Sequence, residues 1–134
     1  MTKSMNNPTL WRLACLTMAL FLFCSISYSL QEEQLKKKYA PILGEYEFDM
    51  SDMGIGMVNV EFYVEGGSVW AMADTSSEPG EMVPVEGKEF EFTIEDPDEG
   101  TYVIKFLKDD KGEYTKCHIQ NEMMGMDVIG KKIK

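Results

Sequence analysis

Residues 58–65 alternate strictly. Val58, Val60, Phe62 and Val64 are separated by Asn59, Glu61, Tyr63 and Glu65. A period of two predicts a strand with one buried face. Gly66-Gly67 follows, a pair that reaches the positive φ of a tight hairpin turn without a steric penalty. The chain returns as SVWAMAD over 68–74, and a polar stretch with Pro79-Gly80 leads into MVPV over 82–85. Pro84 has no N–H to give to a ladder, which predicts an edge strand or a bulge there. Glu86-Gly87-Lys88 forms the next turn, after which Phe90, Phe92 and Ile94 alternate with Glu89, Glu91, Thr93 and Glu95 as one further strand. The acidic link EDPDEG (95–100) precedes TYVIKFLK, Asp109-Asp110-Lys111-Gly112 turns the chain into EYTKCHIQ, and Asn121 to Gly125 turns it into MDVIGKKI. From Gly44 onward the pattern amounts to about eight short strands joined by turn-rich links.

Consecutive strands linked by hairpins pair as an antiparallel meander, and about eight of them can close on themselves and abolish exposed edges. No helical stretch after residue 44 is long enough for a parallel crossover. The expectation is an all-β fold, a small antiparallel up-and-down barrel over 44–134. A short helix and linker over 30–43 precede it. In that segment Glu32 and Glu33 stand four residues before Lys36 and Lys37, Leu35 and Tyr39 share a side, and Pro41 ends the helix. A barrel of this size has room inside for side chains or for one small ligand. Trp70, Met72, Phe90, Phe92, Tyr102, Phe106 and Tyr114 are the candidates for lining such a site. Their spacing leaves open whether they fill the interior or frame a pocket.

The first 29 residues have another character. Met1–Arg12 carries Lys3 and Arg12 and no acid, Leu13–Ile26 is nearly all apolar, and Ser27-Tyr28-Ser29 supplies small residues at signal-peptidase spacing. These are the three regions of a secretory signal, with cleavage expected after Ser29. The apolar run is shorter than the roughly 20 residues of a membrane anchor. Phe23 before Cys24 is too large for a lipoprotein site. The expected location is therefore periplasmic or extracellular, with no stable membrane span after cleavage.

Export sharpens the charge argument. The whole chain has a net charge of -10, with 23 acids and 13 bases. Losing Lys3 and Arg12 leaves 11 bases and a net charge near -12. Such a surface repels phosphate backbones, which excludes nucleic acid as a partner. Of three cysteines, Cys15 and Cys24 leave with the signal, so Cys117 remains without an internal disulfide partner.

Candidate chemistry is sparse. His118 is the only histidine and Cys117 its neighbour; on a strand the two side chains point to opposite faces and form no dyad. There is no Gly-x-Ser-x-Gly and no Ser-x-x-Lys, and one Cys beside one His makes a poor zinc site. Glu95, Asp96, Asp98 and Glu99 crowd one link, which is better explained as a solvated hairpin than as a calcium loop. Met50, Met53, Met57, Met123 and Met126, with His118, offer the soft ligands that Cu(I) prefers. Methionine is also an adaptable core filler. The expectation is no enzyme and no cofactor, with a periplasmic Cu(I)-binding protein as the alternative.

The run Tyr39-Ala40-Pro41-Ile42-Leu43-Gly44-Glu45-Tyr46-Glu47-Phe48 resembles the opening of the lipocalin-like accessory domain found behind serine peptidases of the penicillin-binding-protein and β-lactamase class. Met82-Val83-Pro84-Val85, the Phe-containing strand 89–94, His118-Ile119-Gln120-Asn121 and a last strand ending near Lys131-Lys132-Ile133 extend the likeness over residues 39–133. The resemblance implies a lipocalin-like barrel without catalytic residues that contacts a catalytic unit. No catalytic unit is read beside it in this sequence, so the expectation is a free-standing copy that contacts a separate exported protein; a small apolar ligand, read from the size of the barrel, is the other expected partner.

Overall fold

The computed structural model describes residues 30–134; the signal-peptide reading lies outside them. A helix over 30–39 leads into β1 (Gly44–Met50), a single 3₁₀ turn (Ser51–Met53), β2 (Gly56–Glu65), β3 (Ser68–Ala73) and β4 (Gly80–Pro84). β5 (Glu91–Asp96), β6 (Gly100–Lys108), β7 (Tyr114–Asn121) and β8 (Met126–Lys132) complete the chain. Every strand pairs antiparallel with its successor, and β8 pairs with β1 to give a closed eight-stranded barrel. The closing seam matches Tyr46 to Lys132 and Glu47 to Lys131. It continues through Ile133 N–H to the Glu45 carbonyl at 2.8 Å and Glu45 N–H to the Lys134 carbonyl at 3.0 Å. Among the described residues no helix is long and apolar enough to cross a membrane.

Alternation decides what enters the barrel. Val58, Val60, Phe62 and Val64 of β2 are all buried, and their neighbours Asn59, Glu61, Tyr63 and Glu65 face outward. Gly66 and Gly67 both take positive φ, 59° and 80°, as a two-residue hairpin with this twist requires. Inside, Phe62 and Phe106 meet edge to face with ring centroids 5.0 Å apart. Tyr46 lies 5.3 Å from Phe62 and 5.6 Å from Phe106, and Phe92 lies 5.9 Å from Phe106. Large residues face small ones on neighbouring strands: Phe62 of β2 opposes Ala71 of β3, and a Cβ on Gly130 of β8 would lie 2.6 Å from the Phe48 ring of β1. The interior is filled by its own aromatic side chains.

The two ends close differently. At one, the helix and its turn plug the barrel: Tyr39 and Ile42 are buried, the Tyr39 ring sits 5.5 Å from Phe92, and the Tyr46 hydroxyl donates to the Ile42 carbonyl at 2.9 Å. The expected i,i+4 support is present as a Glu32–Lys36 ion pair at 3.4 Å. At the other end Asn121 is 1% exposed. Its amide donates to the Glu99 carbonyl at 3.0 Å, and its oxygen accepts from Met124 N–H at 3.2 Å. A buried amide is tolerated there because both halves are satisfied.

Two local expectations need correction. Phe90 does not belong to a strand: its φ is 52° and β5 begins only at Glu91. A bulky side chain at positive φ is a true outlier. It is held by the Phe106 N–H bond to its carbonyl at 3.2 Å and by edge-to-face packing on Tyr114 at 4.9 Å. Pro84 lies on no free edge, because the ring is closed. It occupies the last position of β4 opposite Phe92, and Val85 N–H resumes the ladder by donating to the Glu91 carbonyl at 2.9 Å.

Candidate binding groove

The seven residues expected to line a ligand site separate into four groups. Phe92 and Phe106 are core, at 1% and 6% exposure, and they touch each other rather than a void. Tyr102 lies at the acidic end, where its hydroxyl donates to the Glu99 carboxylate. Burial pushes its pKa up to about 12, with that bond adding to the effect. Trp70 and Met72 lie on the outer face: Trp70 pairs with the outward Tyr63, and its indole N–H donates to the Glu65 carbonyl at 2.9 Å. They frame no interior pocket, because Phe62 already occupies the space over their strand.

Phe90 and Tyr114 remain, and the fold brings them together. They form one wall of an open groove of about 780 Å³ beside the helix plug, also lined by Lys38, Pro41, Glu89, Lys108, Lys132 and Lys134. Four segments distant in sequence build it: the helix end, the β4–β5 turn, the β6–β7 hairpin and the end of β8. Lysine ammonium groups stand over aromatic faces at this end. Lys108 Nζ is 5.2 Å from the Tyr114 ring centre, Lys38 Nζ 5.2 Å from Tyr39, and Lys132 Nζ 5.9 Å from Tyr46. Lys132 Nζ also donates to the Pro41 carbonyl at 3.3 Å, and Lys134 Nζ is 3.7 Å from Glu45. Among the described residues, Lys38, Lys108 and Lys132 meet no carboxylate within ion-pair distance, whereas Lys36, Lys105, Lys131 and Lys134 do.

The other candidate chemistries are dispersed. Cys117 is fully buried and His118 faces outward. Burial pushes the Cys117 thiol far above the ordinary thiol range, so it is no nucleophile. The Tyr46 phenol is likewise pushed up, first by burial and then by Cys117 beside it. His118 Nε2 instead lies 2.5 Å from Asp127 Oδ1, and this bond holds the Asp127 carboxyl below its ordinary value. The cross-strand neighbours of His118 are Lys105 and Ile129, so neither residue opposite it offers a hydroxyl or thiol.

The methionine set is likewise divided. Met50 is buried inside the barrel, Met57 is 54% exposed on β2, Met123 is 72% exposed in the β7–β8 turn, and Met53 lies in the 3₁₀ turn. Met126 packs on the core while His118 faces the opposite side of the sheet. Ligands on both faces of one sheet cannot close around one ion. Among the described residues there is no group of three or more His, Cys, Asp or Glu side chains able to hold a metal. In the acidic link, Asp96 Oδ1 accepts from Asp98 N–H at 2.8 Å and Glu99 N–H at 2.9 Å, which is a turn satisfying its own backbone.

Compared with protein-family models, curated proteins and solved structures, the chain matches none of them.

Proposed function

We propose that the chain is an exported, non-catalytic binding domain that works through the groove on the outside of its barrel. The observation that carries this reading is the filled interior: Tyr46, Phe62, Phe92 and Phe106 pack ring against ring where a ligand cavity would need space. Binding then falls to the surface, and the groove is where aromatic area, unpaired ammonium groups and a strained backbone coincide. The His118–Asp127 pair, with Lys105 and Ile129 as its cross-strand neighbours and no hydroxyl or thiol at those positions, supports a non-catalytic role. The leader-like start supports export, and the resemblance to the peptidase-associated barrel supports action on a separate exported chain.

Two measurements test the reading. N-terminal sequencing of the exported protein is expected to begin at Leu30; an uncut Met1 refutes cleavage. Photo-crosslinkers placed singly at Glu113 on the groove and Thr101 on the outer face are expected to give adducts in the exported fraction only from Glu113. Adducts from Thr101 alone would move the working surface away from the groove.

A further inference from the structure

We propose that the groove takes a small organic anion with a flat apolar body, such as an aromatic or long-chain carboxylate or sulfonate. This rests on the reading of the groove as the working surface and goes on to name what it holds.

The charge distribution selects the anion. Residues 30–134 carry 23 acids and 11 lysines, yet the groove is lined by Lys38, Lys108, Lys132 and Lys134 against Glu89 and Glu113. The lining therefore carries a side-chain charge of +2 within a chain of about -12. The lysines come from the helix, the end of β6 and the end of β8, so separate elements bring them to line one concavity. Three of them lack a carboxylate partner among the described residues. A low-dielectric wall beside such charges strengthens their pull on a bound anion.

The same numbers select a small molecule. A polyanion or an acidic protein surface would extend beyond the groove and meet the strongly acidic remainder of the barrel, where repulsion accumulates. A compact anion fits within the cleft, whose 780 Å³ lies in the range of small-molecule sites. Its apolar part has a surface to rest on. Phe90 and Tyr114 stand edge to face at 88°, and Phe90 is kept at φ 52°, a sparsely populated conformation that persists only where its surroundings hold it. That backbone shape places the Phe90 ring against Tyr114 and Tyr39, instead of continuing the alternation of β5.

A matched pair of dyes tests the proposal on the purified protein. The anion 8-anilinonaphthalene-1-sulfonate and the neutral N-phenyl-1-naphthylamine share their aromatic body and differ by the sulfonate. The anion is expected to bind roughly tenfold more tightly at low salt, as one charge-assisted contact supplies. Amide shifts should fall on residues 89–90, 108–115 and 132–134. Lys38→Gln with Lys108→Gln should remove that preference, while Lys116→Gln with Lys131→Gln, on the outer face, should leave it intact. Amide spectra of each variant report its fold directly. Equal affinity for both dyes at the groove overturns the anion assignment but leaves the groove as a binding surface. Shifts confined to another part of the barrel, or no binding of either dye at millimolar concentration, overturn both.

Discussion

The two ends of this barrel are made from the same meander and closed by different physics. At the helix end, Tyr39 and Ile42 fill the opening with apolar volume, and the neighbouring turns stand far enough apart to leave a lysine-lined groove. At the opposite end each turn satisfies its own backbone. Asp49 Oδ1 accepts from Ser51 N–H at 3.0 Å, Asp96 serves the β5–β6 turn, and Asn121 serves the β7–β8 turn. The segments 51–55, 74–79, 97–99 and 122–125 contain Asp52, Asp74, Glu78, Asp98, Glu99 and Glu122 and no base. A plug borrowed from outside the sheet leaves crevices where it meets the strands. Asp109 stitches the β6–β7 turn at the helix end in the same way, so it is the plug, and not the turn chemistry, that sets the two ends apart. The helix end is thus where the described residues leave a groove.

Substitutions can break that comparison at its centre or at either end. The largest effect is expected for Phe106→Ala, which removes the ring that touches Tyr46, Phe62 and Phe92 inside the barrel, toward the helix end. Denaturant titration should show a loss of about 3–5 kcal/mol; a loss below about 1 kcal/mol would mean that the barrel is hollow. Tyr39→Ala takes out the plug and should cost about 3 kcal/mol. Amide protection should fall around Glu91–Phe92 and persist at Asn121. Asn121→Ala should do the reverse at about 1–3 kcal/mol, by orphaning the Glu99 carbonyl and Met124 N–H. If either substitution loosens both ends equally, the ends are one cooperative unit and the contrast between them is only chemical. The smallest effect belongs to Asp127. Its folded pKa lies below the ordinary 3.8 because His118 bonds to it, so its contribution is present above about pH 4 and is lost as the pH falls through the folded value. Asp127→Asn should flatten the acid limb of a stability–pH curve slightly and leave the neutral region nearly unchanged.

Much of this barrel is legible in the chain itself. The alternation at 58–65 and the placement of Cys117 and His118 on opposite faces follow from a period of two, and the Gly66-Gly67 hairpin follows from the positive φ that glycine reaches. What escapes the pattern is decided by neighbours in space. Trp70 and Met72 face outward because Phe62 fills the interior opposite Ala71; nothing within SVWAMA itself says so. Phe90 looks like the first inward residue of β5, yet packing on Tyr114 and Tyr39 holds it at positive φ. The groove has no local motif at all, since its lysines are drawn from residues 38 to 134. The one available signal was compositional: basic residues concentrated where the helix ends and the last strand finishes.

The nearest-neighbour order of the strands also has a kinetic side. Seven pairings join elements adjacent in the chain, and only β8 to β1 spans the full length of the sheet. Hairpins of this kind form within microseconds, whereas the closing contact must bring together residues some 85 positions apart and bears the loop entropy of doing so. The ring is therefore a zipper with its clasp in the final strand. Without the pairing of Lys131 and Lys132 to Glu47 and Tyr46 the same seven hairpins make an open ribbon; with it they make a sealed cylinder.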